Sequence, residues 1–272
     1  MNAGIDYEDE YNNRARVPEN PSLIAGWARD AAAYRERHAP RSMPYGSGAR
    51  NMIDFFAGEN EGPIVVFIHG GYWQALDGSF FSHLAGGLNA HGIGVAIPSY
   101  DLCPHVTVDQ IIRQMRTASC TLARLGRSLV ISGHSAGGHL AACMLATDWP
   151  AFDASLPQNL AVAAYAISGL FDLEPLVETS INNAVRLDHA TARAASPLFW
   201  NAPLRGSLDA VVGENESAEY FRQSKSIVNA WGGAGLVTRF AVVPGANHFT
   251  AIAPLADPNS PMVLRLKELA TR

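Results

Sequence analysis

Charged residues are scarce in this chain of 272 residues: they make up 17% of it, against about 25% in an average domain. Hydrophobic residues make up 48%, which excludes intrinsic disorder and permits a large buried core. Basic residues are not in excess, since 20 Lys and Arg stand against 25 Asp and Glu, and the net charge is −5. A protein without a basic excess is a poor candidate for binding nucleic acid.

Long hydrophobic runs and paired cysteines are also missing. The longest strongly apolar runs, such as 64–68, are far too short to span a bilayer. The acidic start MNAGIDYEDEY does not resemble a secretory signal. The three cysteines, Cys103, Cys120 and Cys143, are an odd number without CxxC spacing, which argues against a disulfide framework and a zinc site. We therefore expect a cytoplasmic protein that does not bind a membrane.

From residue 51 onwards, short β-rich runs alternate with longer helical ones, and several of the β-rich runs are apolar on both faces. This alternation predicts an α/β domain built on a mostly parallel, doubly wound sheet flanked by helices. The clearest helix is expected at 108–125, where apolar residues recur at intervals of three and four. The predicted strands are 51–56, 64–68, 94–97, 128–132, 162–168, 207–212 and 237–243, and the other predicted helices are 79–90, 137–147, 217–230 and 261–270.

Two segments fall outside this alternation. Residues 1–45 are polar and aromatic with several prolines, and one helix is expected at 22–37 with Ser22 as its cap. We interpret residues 1–45 as an N-terminal arm that packs on the domain 46–272 or covers a cleft. Residues 170–203 are too many for an ordinary crossover and include a predicted helix at 182–194. This excursion beyond the carboxyl end of a strand predicts a lid-like insertion.

The strongest motif is GHSAG at 133–137, which matches G-x-S-x-G between a predicted strand and a predicted helix. This strained turn holds a serine hydroxyl at the exposed end of the sheet, beside a helix N-terminus. Ser135 is therefore the candidate nucleophile, and the competing interpretation is a serine that caps an ordinary turn. A second motif, HGGYW at 69–73, follows another strand. Its glycines, Gly70 and Gly71, together with Ala136, are candidates to supply the backbone N–H groups of an oxyanion hole.

A nucleophilic serine needs a histidine base and an acid later in the chain. Two histidines follow Ser135, and His248 is the better candidate because it follows the last predicted strand through the turn PGAN, whereas His189 lies in a polar helical stretch. The acid should follow the strand at 207–212, which leaves Glu214 and Glu216 open. A solvated loop charge is the alternative for either glutamate.

Taken together, the motifs resemble the α/β-hydrolase fold and, more narrowly, the arylformamidase (kynurenine formamidase) family. The resemblance extends over residues 69–249 and includes the start of the chain. It rests on YNNRARVP (11–18), HGGYW (69–73), SYDLCP (99–104), GHSAGGHL (133–140), SGLFDLEPL (168–176), ESAEYFRQS (216–224) and PGANHF (244–249). The family's acid corresponds to Glu216, where Asp is frequent. The resemblance implies hydrolysis of N-formyl-L-kynurenine to L-kynurenine and formate through a formyl-serine intermediate, with no metal or organic cofactor.

The substrate would be a small aromatic amide or ester. Tyr72, Trp73, Phe171 and Phe249 lie beside the predicted catalytic residues and are candidates to contact its ring, with core packing as the alternative for each. A carboxylesterase or another small aryl ester or amide hydrolase with the same triad is the main competing function. A non-enzymatic scaffold and a metal-dependent formamidase are two further alternatives. The oligomeric state stays open, with a homodimer among the assemblies considered.

Overall fold

A computed structural model describes residues 4–271, so the first three residues of the expected arm lie outside the described part of the chain. Eight strands form one sheet in the order β1-β2-β4-β3-β5-β6-β7-β8; the pairs β1–β2 and β2–β4 are antiparallel and all other pairs are parallel. The strands are β1 (Arg41–Pro44), β2 (Met52–Phe56), β3 (Ile64–Ile68), β4 (Val95–Pro98), β5 (Leu129–His134), β6 (Ala161–Ile167), β7 (Ser207–Gly213) and β8 (Val237–Val243). The predicted mostly parallel, doubly wound sheet is confirmed.

Helices cover both faces of this sheet, which explains why β3, β4, β5 and β7 are buried along their whole length. The α-helices are α1 (Tyr7–Tyr11), α2 (Asn13–Arg16), α3 (Asn20–Arg37), α4 (Ala85–Asn89), α5 (Val108–Ala123), α6 (Ala136–Leu145), α7 (Trp149–Phe152), α8 (Asn182–Val185), α9 (His189–Ala194), α10 (Ala218–Gly233) and α11 (Pro261–Leu269). Alternate residues of β3 enter two separate cores: Val66 belongs to the core that includes α5, α6 and α10, and Val65 to the core that includes α3, α4 and α11.

Helix α3 attaches the N-terminal segment to the domain. Trp27 packs against Phe81, with ring centroids 5.3 Å apart, and Arg35 forms an ion pair of 2.5 Å with Asp54 on β2. Within residues 4–271, no helix is long and apolar enough to cross a membrane.

The structure corrects three local expectations. Residues 41–44, assigned to the arm, form an edge strand of the sheet. Helix α3 begins at Asn20, and the Ser22 hydroxyl donates to the carbonyl of Glu19 instead of capping the helix. The single helix expected at 182–194 is divided into α8 and α9, because Arg186 adopts the left-handed conformation with φ of 59°.

Candidate active site

Ser135 lies at the sharp turn between β5 and α6, with φ of 57° and ψ of −120°. Its N–H donates to the carbonyl of Ile167 on the neighbouring strand, which fixes the turn in this unusual conformation. The following turn is tight enough that a Cβ at Gly137 would lie 1.9 Å from the carbonyl oxygen of Ile68. The second glycine of GHSAG, Gly137, is therefore required because the backbone approaches β3 closely, and the serine is held at the N-terminus of α6.

The HGGYW loop runs beside this turn. Gly71 has φ of 102°, and a Cβ there would lie 2.4 Å from the carbonyl oxygen of Ala75. A Cβ at Gly70 would lie 2.9 Å from that of Ser135, so the loop backbone passes directly against the serine. Among the described residues, the N–H groups of Gly70, Gly71 and Ala136 have no acceptor. They are free to bind an oxyanion next to Ser135.

His69 stabilises the conformation of the same loop. Its ring stacks on Tyr100 with centroids 4.1 Å apart, and its Nδ1 lies 2.8 Å from the carbonyl oxygen of Gly70. The Tyr100 hydroxyl donates to the carbonyl of His69 at 2.9 Å. Burial lowers the pKa of His69 to about 4, so this imidazole is neutral near pH 7 and suits a structural contact.

His248 and Glu216 form a buried pair. Nδ1 of His248 lies 2.7 Å from Oε2 of Glu216, and the two side chains are 7% and 0% exposed. The other carboxylate oxygen accepts from the Ser168 hydroxyl at 2.5 Å and from the Gly213 N–H at 2.6 Å. A carboxylate at Nδ1 keeps the proton on that nitrogen and leaves Nε2 able to accept one.

The alternative acid is placed elsewhere. Glu214 is exposed, and its Oε2 accepts from the Gly245 N–H at 2.7 Å. The structure therefore brings Glu216, and not Glu214, to the imidazole of His248. His189, the alternative base, is exposed at the start of α9.

His134, the variable residue of GHSAG, contacts both the backbone and the ring of His248. Its Nε2 lies 2.8 Å from the carbonyl oxygen of His248, and the two rings are 4.7 Å apart. Burial first, and then the neighbouring His248, hold the pKa of His134 well below its usual value. A neutral His134 with the proton on Nε2 donates to that carbonyl and fixes the backbone of the loop that carries His248.

Ser135, His248, Gly70 and Gly71 open onto one cavity of about 390 Å³. Of the four aromatic residues predicted to contact a substrate ring, Tyr72 and Phe249 line this cavity. Trp73 and Phe171 are 0% exposed and belong to the core, so core packing describes their position. The remaining wall comes partly from the N-terminal segment: Tyr11, Asn12, Asn13, Arg14, Ile24 and Trp27.

A cluster of hydroxyl and amide groups ties this segment to the site. The Tyr72 hydroxyl donates to the carbonyl of Tyr11 at 2.6 Å and lies 2.7 Å from the Tyr220 hydroxyl. Nδ2 of Asn13 donates to Tyr220 at 2.7 Å and to Tyr72 at 3.1 Å. The ring of Tyr220 packs on His248 with centroids 4.7 Å apart. The segment 11–14 is therefore part of the cavity wall.

Sequence reasoning did not identify several of these residues. Asn13, Arg14 and Trp27 are far from the predicted catalytic residues along the chain, and Tyr220 lies inside a motif whose pattern indicates only an acid. The YNNR pattern at 11–14 was the one available sign. Within residues 4–271, no group of three or more His, Cys, Asp or Glu could hold a metal ion.

Several known proteins are similar to this chain over most of its length. A kynurenine formamidase from Danio rerio is 31% identical over 228 residues, which cover 80% of this chain and 77% of that protein. A kynurenine formamidase from Drosophila melanogaster is 30% identical over 234 residues, covering 80% and 77%. The crystal structure of a proposed thioesterase from Silicibacter sp. TM1040 has a TM-score of 0.86 and 34% identity, and the match covers 99% of this chain and 100% of that chain. No protein-family model matches the chain.

Proposed function

The chain belongs to the kynurenine formamidase family and is a hydrolase with the α/β-hydrolase fold, and from this premise we propose that it hydrolyses N-formyl-L-kynurenine to L-kynurenine and formate. The observation that supports the proposal most directly is the buried contact between Glu216 and His248 at the cavity onto which Ser135 opens. The proposal then assigns a nucleophile, a base, an acid and oxyanion donors for acyl transfer to neighbouring residues.

In this mechanism, Oγ of Ser135 attacks the formyl carbon while Nε2 of His248 takes up the hydroxyl proton. Glu216 keeps the imidazole oriented and stabilises it when it becomes charged. The oxygen that gains negative charge is bound by the N–H groups of Ala136 and the Gly70–Gly71 loop. His248 then protonates the anilide nitrogen, and L-kynurenine leaves.

The second half of the reaction uses the same groups. Water attacks the formyl-serine ester with His248 as general base, and formate leaves as Ser135 regains its proton. The described residues hold no cluster that could bind a metal ion, and each proton in this scheme is transferred by His248. The three cysteines are free, which fits our proposal of a cytoplasmic location.

The aromatic side of the substrate would lie between the arm and the loop after β8. Trp27 and Phe249 both line the cavity and stack with centroids 5.9 Å apart, and Leu76 adds a further apolar surface. Such a wall suits an aryl ring, because planar rings bury apolar area with little loss of conformational entropy.

Ser135→Ala tests the mechanism. We expect kcat to fall by about 10⁴-fold or more while the melting temperature changes little, because the hydroxyl is at a cavity wall and not in the core. Labelling by an organophosphate probe should be lost in parallel. A variant that keeps a tenth of the activity, or a wild-type protein that the probe does not label, would contradict the nucleophile assignment.

Ester hydrolysis is the second candidate, and the 34% identity to a proposed thioesterase favours weighing it. A series of acyl groups on one aromatic leaving group separates the two. A site suited to formyl should prefer formyl to acetyl and acetyl to butyryl, after correction for intrinsic reactivity, because each methylene added to a filled site costs about 1–3 kcal/mol. A corrected profile that rises toward butyryl would favour the esterase.

A further inference from the structure

Among the described residues, a single permanently charged side chain lies in the cavity wall. Among the described residues that line it, Arg14 is the only Lys, Arg, Asp or Glu. The other lining groups are apolar, neutral polar or imidazole side chains, apart from the glycine backbone. A lone cation in such a wall provides the one place where a negatively charged part of a ligand finds an opposite charge.

Arg14 is also unengaged, unlike its neighbour on the same helix. Arg16 pairs with Asp9 at 2.8 Å, whereas the Arg14 guanidinium has no ion pair or hydrogen bond with any residue in 4–271. The protein as a whole has a net charge of −5, so no general positive field would attract an anion. An unpaired guanidinium at the cavity therefore has its full set of donors available to a ligand.

The backbone that carries Arg14 is fixed. Asn13, the preceding residue, is bonded to both Tyr72 and Tyr220 of the site. The carbonyl of Arg14 itself accepts from Nδ2 of Asn20 at 3.1 Å, and Asn12 caps the short helix α2. The backbone of Arg14 is therefore held by the same contacts that hold the cavity wall, so the backbone needs no further ordering when the exposed side chain binds a ligand.

We infer that Arg14 is a specificity-determining residue that binds a carboxylate on the amine side of the substrate. The inference rests on the proposed function, because a formyl group bears only hydrogen and any carboxylate must then belong to the leaving aryl amine. Arg is suited to this task since its planar fork donates two parallel hydrogen bonds to a carboxylate. The enzyme should accordingly prefer aryl formamides that carry a carboxylate to those that lack one.

Two substrates and two variants test this assignment. N-formyl-L-kynurenine carries the carboxylate, and N-formyl-2-aminoacetophenone has the same aryl ketone without the amino acid. Arg14→Gln should lower kcat/KM for the first about tenfold, chiefly through KM, and leave the second within about twofold. Arg16→Gln, the matched control on the same helix, should change neither. Added salt should reduce the wild-type preference.

Direct binding separates a failure of this inference from a failure of the proposed function. Calorimetry with L-kynurenine requires no turnover, and Arg14→Gln should raise its Kd about tenfold while Arg16→Gln does not. If the wild-type protein hydrolyses neither formamide but binds L-kynurenine through Arg14, the proposed function is wrong and the carboxylate subsite stands. The subsite would be overturned if wild type and Arg14→Gln had equal Kd values for L-kynurenine, or if neither bound it. An equal loss of kcat/KM on both formamides would overturn it as well.

Discussion

Glu216→Gln is the change that tests most sharply how the site operates. Three donors point at this buried carboxylate: Nδ1 of His248, the Ser168 hydroxyl and the Gly213 N–H. Glutamine keeps the size of the side chain but offers one acceptor oxygen and one NH₂ donor in place of two acceptor oxygens. The NH₂ group must therefore replace one of the two carboxylate oxygens. At that position it faces a group that, in the wild type, donates a hydrogen bond to the oxygen.

The fixed backbone N–H of Gly213 determines which of the wild-type hydrogen bonds is disrupted. The Gly213 N–H cannot turn away, so the amide oxygen of the introduced glutamine is best placed at Gly213 and Ser168, and its NH₂ group then faces Nδ1 of His248. The imidazole must move its proton to Nε2 to accept this bond. An imidazole protonated at Nε2 cannot take the proton of Ser135.

The expected loss of kcat is therefore the loss caused by holding His248 in the wrong tautomer. In serine proteases, the corresponding Asp-to-Asn change lowers kcat about 10⁴-fold, which is about 5.5 kcal/mol of transition-state stabilisation. We expect Glu216→Gln to lower kcat by a similar factor on both N-formyl-L-kynurenine and an aryl ester, with KM nearly unchanged. End-point assays at high enzyme concentration would measure the residual rate, and circular dichroism would verify the fold.

Glu214→Gln is the matched control, because it removes the same charge two residues away. Glu214 is exposed and accepts one bond from Gly245, which glutamine can also accept. Its effect should stay within about twofold, as for an ordinary surface change. A loss below about tenfold for Glu216→Gln, or a larger loss for Glu214→Gln, would refute the argument from the tautomer.

Two further predictions concern the loop and the buried histidines. Gly71→Ala should lower kcat about 10²- to 10³-fold on an aryl ester, because its Cβ would lie 2.4 Å from the Ala75 carbonyl and displace an oxyanion donor; near-normal turnover would contradict this. His69 and His139 are buried with pKa values lowered to about 4, so the unfolded state binds more protons between this value and about 6.5. Urea unfolding should show stability that is full above about pH 6.5 and falls as the pH drops toward about 4, by up to about 1.4 kcal/mol per histidine and pH unit; a flat profile would contradict it.

Local sequence patterns predicted the parts of the site that a single turn determines. The GHSAG turn requires small residues wherever β5 meets α6 against β3, so its position could be inferred from flanking strand and helix patterns. The sheet was predictable for a similar reason, because strands buried on both faces have continuous apolar runs. The edge strand β1 was missed because its four residues are mostly exposed and carry no such run.

Contacts between distant segments were not predictable in this way. Tyr72 and Trp73 are adjacent and both aromatic, yet one lines the cavity and the other is fully buried. Their positive φ angles, 49° and 58°, turn the chain in a manner that no local preference for aromatic residues would indicate. Phe171 likewise follows β6 but packs into the core. The choice between Glu214 and Glu216 also needed the position of a loop from the next strand.

The strained positions show what the N-terminal segment contributes. Six non-glycine residues within 4–271 have positive φ, and five belong to the loops around Ser135: Tyr72, Trp73, Leu76, Ser135 and Ser168. Each such residue costs on the order of 1–2 kcal/mol, so the surrounding contacts must hold the loops in place. For Ser135 and Ser168, these contacts are backbone bonds to neighbouring strands. For Tyr72, they are the carbonyl of Tyr11 and the amide of Asn13, which come from the N-terminal segment. The same short stretch therefore holds the HGGYW loop in its strained conformation and brings Arg14 to the cavity. Under the proposed function, catalytic geometry and substrate choice would both depend on this one anchored element.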